Sequence, residues 1–168
     1  MTAFTVGKPL DREAFDRLLG GLRPKLHRYC ARMTGSVLDG EDVVHEAIVK
    51  ALEASSQTGS IAHPEAWLFR IAHNAALDFL RHRARQDAAH ADEDPDMIID
   101  PLAVAEDRQA TAASLQTFMR LPVAQRGSVI LMDVLGYCLE EIGSVMDVSI
   151  ATVKAALHRG RAAPQEGA

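Results

Sequence analysis

The run Ser149-Ile150-Ala151-Thr152-Val153-Lys154-Ala155-Ala156-Leu157-His158-Arg159 carries hydroxyl, ammonium, imidazole and guanidinium groups and no acid. At helical spacing Val153, Ala156 and Leu157 fall on one side, i, i+3 and i+4 apart. Ala151, Lys154, Ala155, His158 and Arg159 then fall on the other, with Thr152 at the edge. Such a face can hold phosphates with its cations and read base edges with its small and hydroxylated residues. A solvated helix with basic residues favoured by its own dipole at the C-terminal end would have the same composition. The helix needs a partner to choose between these readings. Leu139 to Met146 supplies one, followed by a turn at Asp147-Val148 and by Ser149, a good N-cap. Gly143 provides the small residue where two such helices cross. The segment predicts a helix-turn-helix.

Catalytic chemistry has less support. There is no nucleophile-base-acid arrangement, no phosphate-cradling glycine loop and no Cys/His spacing suited to zinc. No metal site and no cofactor are therefore expected, and the chain does not read as an enzyme. Cys30 and Cys138 lie far apart and read as two buried thiols in a reducing compartment.

The elements that must position the basic face are helical throughout. Among 168 residues, 48% are apolar and only 5% aromatic, so aliphatic side chains carry the packing. Strict alternation over strand lengths is not evident. A first helix is expected from near Asp11, interrupted at Gly20-Gly21, with Pro24 opening another that runs to about Met33 and stops before Gly35. Asp39 is the expected cap of the next helix, whose buried side is Val43, Val44, Ala47, Ile48, Ala51 and Leu52. Ser55 to Ser60 reads as a loop. Pro64 and Glu65 open a long helix with Trp67, Leu68, Ile71, Ala75 and Leu80 as core positions. A second unit begins near Leu102, with Leu115, Phe118 and Met119 as a packing stripe. Leu121-Pro122 turns into a helix ending near Gly136.

A net charge of −5 argues against a simple basic DNA-binding module. The acid is concentrated, however. Gln86 to Asp107 holds eight acids and no Lys or Arg, so the remainder of the chain is mildly basic. One sign of charge, low hydrophobicity and two prolines predict a mobile linker there. The fold class expected is all-α: two small helical domains, residues 1–86 and 105–168, joined by an acidic flexible linker, residues 87–104. No apolar run reaches the roughly 20 residues that span a bilayer, and MTAFTVGKPLDREAF lacks a signal-peptide layout, so a cytoplasmic protein without membrane insertion is expected.

With both halves in view, MTGSVLDGEDVVHEAIVKAL and HPEAWLFRIAHNAALDFLRHRAR, followed by LPVAQRGSVILMDVLGYCLEEIGSVMDVSIATVKAALHRGRA, resemble bacterial sigma factors of the sigma-70 family, in its extracytoplasmic-function (ECF) group. The resemblance runs over residues 11–162 and holds in order, spacing and the intervening linker. It implies a subunit that directs core RNA polymerase to promoters. It places Asp39, Glu41, Asp42, His45 and Glu46 on the polymerase clamp helices of the largest subunit, and the second domain near the flap of the second largest. It assigns Ser60, His63, Arg70, His73, Asn74, Arg81 and Arg85 to the minus-ten strand, with a base taken out of the stack. Arg126, Ser149, Ala151, Thr152, Lys154, Ala155, His158 and Arg159 fall to the minus-35 element. An anti-sigma factor that clamps both domains is the implied inhibitor.

Two departures bear on this. Ala155 and Ala156 stand where many relatives have Ser-Arg, which predicts a modest minus-35 contact. The helix is expected to end by Pro164, sooner than in the family, so that a C-terminal segment beyond this sequence remains an alternative. The negative charge and the thinned reading helix also fit a sigma-like decoy that binds an anti-sigma factor without reading promoters.

Overall fold

In a computed structural model of the chain, residues 10–90 and 116–162 are described, and every element among them is a helix. The first, α1, spans Arg12–Thr34. The Asp11 carboxylate caps it, accepting from the Ala14 N–H at 2.7 Å. The expected interruption does not occur: Pro24 lies inside one continuous helix. Gly20, Gly21 and Pro24 are all exposed, so the carbonyl left without a partner can bond water, and glycine leaves room around the ring. Gly35 closes α1 in the left-handed conformation, φ 77°, its N–H donating to the Ala31 carbonyl.

The next helix, α2, spans Val37–Gln57. Its cap is Ser36 rather than Asp39, because the two-residue turn brings the Ser36 hydroxyl to the Asp39 N–H at 3.3 Å. Gly40 is the crossing point with α1, where a Cβ would lie 2.6 Å from the Ala31 Cα. The helix also runs through Ser55 and Ser56, expected in a loop. Their hydroxyls donate back to the Leu52 and Glu53 carbonyls at 2.9 and 2.7 Å, which satisfies them without leaving the helix. The long helix α3 spans Pro64–Ala89 with Pro64 in its first turn, and so includes Asp87, which falls within the expected linker. Residues 91–104 of the acidic linker, which include the start near Leu102, and Leu115 lie outside the described residues.

The second half opens with a helical turn at residues 116–119. Then α4, Val123–Val129, passes directly into a π-helical turn, Ile130–Val134. There the Leu135 N–H reaches the Ile130 carbonyl at 3.0 Å, five residues back. Gly136, φ 76°, ends the segment. The last two helices are α5, Leu139–Met146, and α6, Ile150–Ala162.

The two halves are two helical domains in contact with each other. In the first, α1 packs on α2 and α3; in the second, α4 and α5 pack on α6. Across them α5 lies on α3 and α4 touches α1. One buried apolar cluster runs from Phe15, Leu26 and Phe69 through Ile130 and Ile142 to Leu157. Of the core positions read on α3, Leu68 and Ala75 are fully buried, and Trp67, Ile71 and Leu80 pack partly buried against them. Cys30 is buried and its thiol is pushed up to about 12 by burial, but Cys138 is exposed, contrary to the reading of two buried thiols.

Candidate nucleic-acid interface

The helix-turn-helix forms as its spacing requires. Asp147 takes the left-handed conformation, φ 57°, between α5 and α6, and the Val148 N–H donates to the Gly143 carbonyl at 3.0 Å. A Cβ on Gly143 would stand 2.9 Å from the Val148 carbonyl oxygen, so a larger residue would push the helices apart. The Ser149 hydroxyl accepts from the Thr152 N–H at 3.2 Å and caps α6. Val153, Ala156 and Leu157 are buried. Ser149, Ala151, Thr152, Lys154, Ala155, His158 and Arg159 are all exposed. At the far end Arg161 pairs with Asp133 of the π-helical turn at 2.5 Å, which ties the end of α6 to the turn that continues α4.

Arg126 does not join this face. It is 3% exposed and points inward, donating to the Met119 carbonyl at 2.8 Å and to the Met33 carbonyl, at the end of α1, at 2.7 Å. A planar guanidinium suits carbonyls left free where a helix ends. Its Nε has no acceptor among the described residues. In this arrangement Arg126 joins the halves and is withheld from DNA.

On α3 the expected strand-binding residues divide. Asn74, Arg81 and Arg85 are exposed, as is His63 at the N-cap, and Ser60 is half-buried. Asn74 lies on the water side, which supplies the partner its amide needs. Arg81 pairs with Asp78 at 3.5 Å. His73, in contrast, is 4% exposed, its Nδ1 2.5 Å from the Tyr29 hydroxyl. Burial holds its pKa down at about 4 and pushes the Tyr29 hydroxyl well above its ordinary range, so both are neutral at neutral pH. Arg70 pairs with Asp147, in the turn of the helix-turn-helix, at 2.8 Å. Two of the expected strand contacts, His73 and Arg70, are thus occupied within the protein.

The acids of α2 remain available at the surface. Glu41, Asp42, His45 and Glu46 are exposed and Asp39 is half-buried. Several already have cationic neighbours: Asp39 with Arg83 at 3.5 Å, Glu41 with Arg23 at 2.5 Å, and Glu46 with Lys50 at 2.9 Å. Beside them Val37 and Leu38 are 58% and 79% exposed, an apolar margin fit for a protein partner.

Sequence reasoning missed the residues that join the halves. Tyr137 sets its ring edge-on to Phe69, centroids 5.2 Å apart, and its hydroxyl donates to Glu65. The Lys25 ammonium lies 5.6 Å from the Tyr137 ring centroid and 3.8 Å from the Glu65 carboxylate. Gly127 presents open backbone to Tyr29 and His73, and Met119 fills the space beside Gly35. No short-range pattern marks these contacts. The one signal within reach was an aromatic residue directly after Gly136 in a chain poor in aromatics.

Among the described residues no group of three or more His, Cys, Asp or Glu could hold a metal ion, and no helix is long and apolar enough to cross a membrane.

Comparison with known proteins gives two matches in order along the chain. Residues 18–86 match the family model Sigma-70 region 2, and residues 115–163 match Sigma-70, region 4. The chain is 34% identical over 153 residues to the ECF RNA polymerase sigma factor SigM of Mycobacterium tuberculosis, covering 90% of this chain and 76% of SigM. It is similar in fold to the sigma factor RpoE from Bartonella quintana in complex with the anti-sigma factor NepR. That TM-score is 0.67 at 21% identity, over 89% of this chain and 92% of that one. It is also similar to CnrH in complex with the cytosolic domain of CnrY, with a TM-score of 0.63 at 25% identity, over 90% and 85%.

Proposed function

The chain belongs to the sigma-70 family, among the ECF RNA polymerase sigma factors, and on that premise we infer that it joins core RNA polymerase and directs it to promoters. The observation that carries this is the pair of family matches, region 2 then region 4, on a chain 34% identical to a relative it covers over three quarters of its length. Its partners are core polymerase and promoter DNA, with an anti-sigma factor as regulator. It acts as a binding subunit rather than an enzyme, and its place of work is the cytoplasm, where polymerase meets DNA.

Residues 1–86 form the unit that docks on polymerase and holds the minus-ten strand, residues 87–104 the acidic linker, and residues 105–168 the minus-35 reader. Asp39, Glu41, Asp42, His45 and Glu46 meet basic residues of the clamp helices, exchanging partners within the chain for partners on polymerase. Ser60, His63, Asn74, Arg81 and Arg85 supply hydrogen bonds and phosphate contacts to the separated strand. On α6, Lys154, His158 and Arg159 hold phosphates. Ala151, Thr152 and Ala155 approach the base edges, where small side chains suit the thymine methyl. The exposure of these groups, all but the half-buried Asp39 and Ser60, supports the assignment.

The test is reconstitution. Purified protein added to bacterial core polymerase should form a stable complex and start transcription at discrete sites in a genomic library. Failure to bind core polymerase would overturn the reading.

A further inference from the structure

We propose that the second half holds a binding site for a small amphiphilic anion, a single-chain carboxylate, and that its occupant competes with promoter DNA for α6. The competition rests on the function inferred above; the site itself does not. The site is a cavity of about 530 Å³ between α6, the π-helical turn and the start of α5. That volume lies within the roughly 300–1,000 Å³ of small-molecule sites.

The lining divides by chemistry. Met132, Leu139, Leu157 and Ala162 supply an apolar surface. Leu157 is 4% exposed and part of the core, so the floor is fixed by packing, while Met132 and Leu139 are half-buried walls. Lys154, His158 and Arg161 complete the lining, and no carboxylate belongs to it. An apolar body with a negative end matches such a surface. A cation would meet like charge, and a wholly polar anion would leave the apolar floor in water.

The three basic groups are not equivalent. Arg161 is held by both oxygens of the Asp133 carboxylate, Nη2 at 2.5 Å and Nε at 3.2 Å, and its Nη2 lies 3.3 Å from the Met132 sulfur. It is a wall of the cavity with its charge already met. Lys154 and His158 stand one helical turn apart, both exposed, and neither has an ion-pair or hydrogen-bond partner among the described residues. The ammonium and an imidazole N–H can both donate to one carboxylate there. These are the donors assigned above to promoter phosphates. A bound carboxylate takes them and adds a negative charge to the face, so occupancy of the cavity and contact with DNA exclude each other.

The probe is decanoate below its micelle threshold, set against decanol, which lacks the charge, and acetate, which lacks the chain. Calorimetry on the full chain reads binding; promoter-complex formation and core polymerase titration read its consequence. Decanoate should bind saturably, one per chain, with decanol weaker by about tenfold and acetate not binding. At ten times its Kd, decanoate should weaken promoter binding about tenfold and leave polymerase affinity unchanged. Lys154→Gln should weaken decanoate about tenfold. Ala162→Phe, at the exposed end of α6, should fill the cavity and abolish decanoate binding while promoter complexes form at the wild-type level. Absent or non-saturable binding, equal affinity for decanol and decanoate, or binding unaltered by Ala162→Phe would overturn the site, as would binding to vesicles of anionic phospholipid but not to the free probe. Loss of polymerase affinity in place of promoter affinity would overturn the competition and give the cavity to polymerase. A wild-type protein that binds decanoate but not core polymerase would overturn the function inferred above, and the competition with it, and leave the site standing.

Discussion

Two faces of this molecule carry cations at helical spacing, and they meet different surroundings. On α6 Lys154, His158 and Arg159 stand in open solvent. On α3 Arg70 reaches a carboxylate of the other half and His73 is enclosed against Tyr29, while Arg81 and Arg85, further along the same helix, are exposed. The difference comes from position in the assembly rather than from composition. The α6 face points away from the body its own apolar side packs on. The first turns of α3 lie beneath α5 and the Tyr137 ring. A basic helix face is a binding surface only where no second element of the same chain reaches it first.

The largest effect that would break this contrast comes from Arg126. Arg126→Met removes the buried donor to the Met33 and Met119 carbonyls, and chemical denaturation should show a loss of about 3 kcal/mol. Lys154→Ala, on the open face, should change stability by less than about 0.5 kcal/mol. Equal effects would mean that Arg126 is solvated and that the halves do not share a core.

Protonation tests the enclosed face next. His73 has its pKa lowered by burial to about 4 from 6.5, so between those values the unfolded chain binds the extra proton. Stability is thus fully present above pH 6.5 and is lost as pH falls toward 4, by up to about 3 kcal/mol. Thermal melts across that window should show the slope in wild type and lose most of it in His73→Gln. A slope that survives the substitution would assign the titration elsewhere.

Smaller effects are expected on α6. Lys154→Ala and Arg159→Ala should each weaken promoter complexes several-fold and lower the salt slope by about 1, without altering polymerase binding. Loss of polymerase binding instead would move this face from DNA to protein. The smallest effect belongs to the bridge between the faces. Asp147 is 84% exposed in its pairing with Arg70, so a double-mutant cycle on the two should give a coupling of no more than about 1 kcal/mol. A much larger value would show that the pair is shielded from solvent and holds the two halves together.

Particular residues show why some of this was legible. Ser149, Gly143 and the i, i+3, i+4 set Val153, Ala156, Leu157 act within a dozen residues or so, so their roles follow from helix geometry alone. Pro24 misled, because its cost depends on whether the freed carbonyl can reach water, and that depends on which side of α1 is buried. Asp39 misled more mildly, since Ser36 offered an equally good cap three residues earlier. Arg126 and His73 read as polar candidates for DNA because nothing local announces a partner. Met33 is 93 residues from Arg126, and Tyr29 is 44 from His73.

The amino-acid order by itself therefore determined what local interactions decide: helices, caps, the helix-turn-helix, the outward set on α6, the acidic middle and the family resemblance. Tertiary structure alone decided which outward residues remain outward. Burial is a property of surfaces that meet across the chain, and a side chain's partner at a distance of tens of residues leaves no period or spacing around it. Arg70, His73, Arg126 and Tyr137 acquire their roles only when the second half closes on the first.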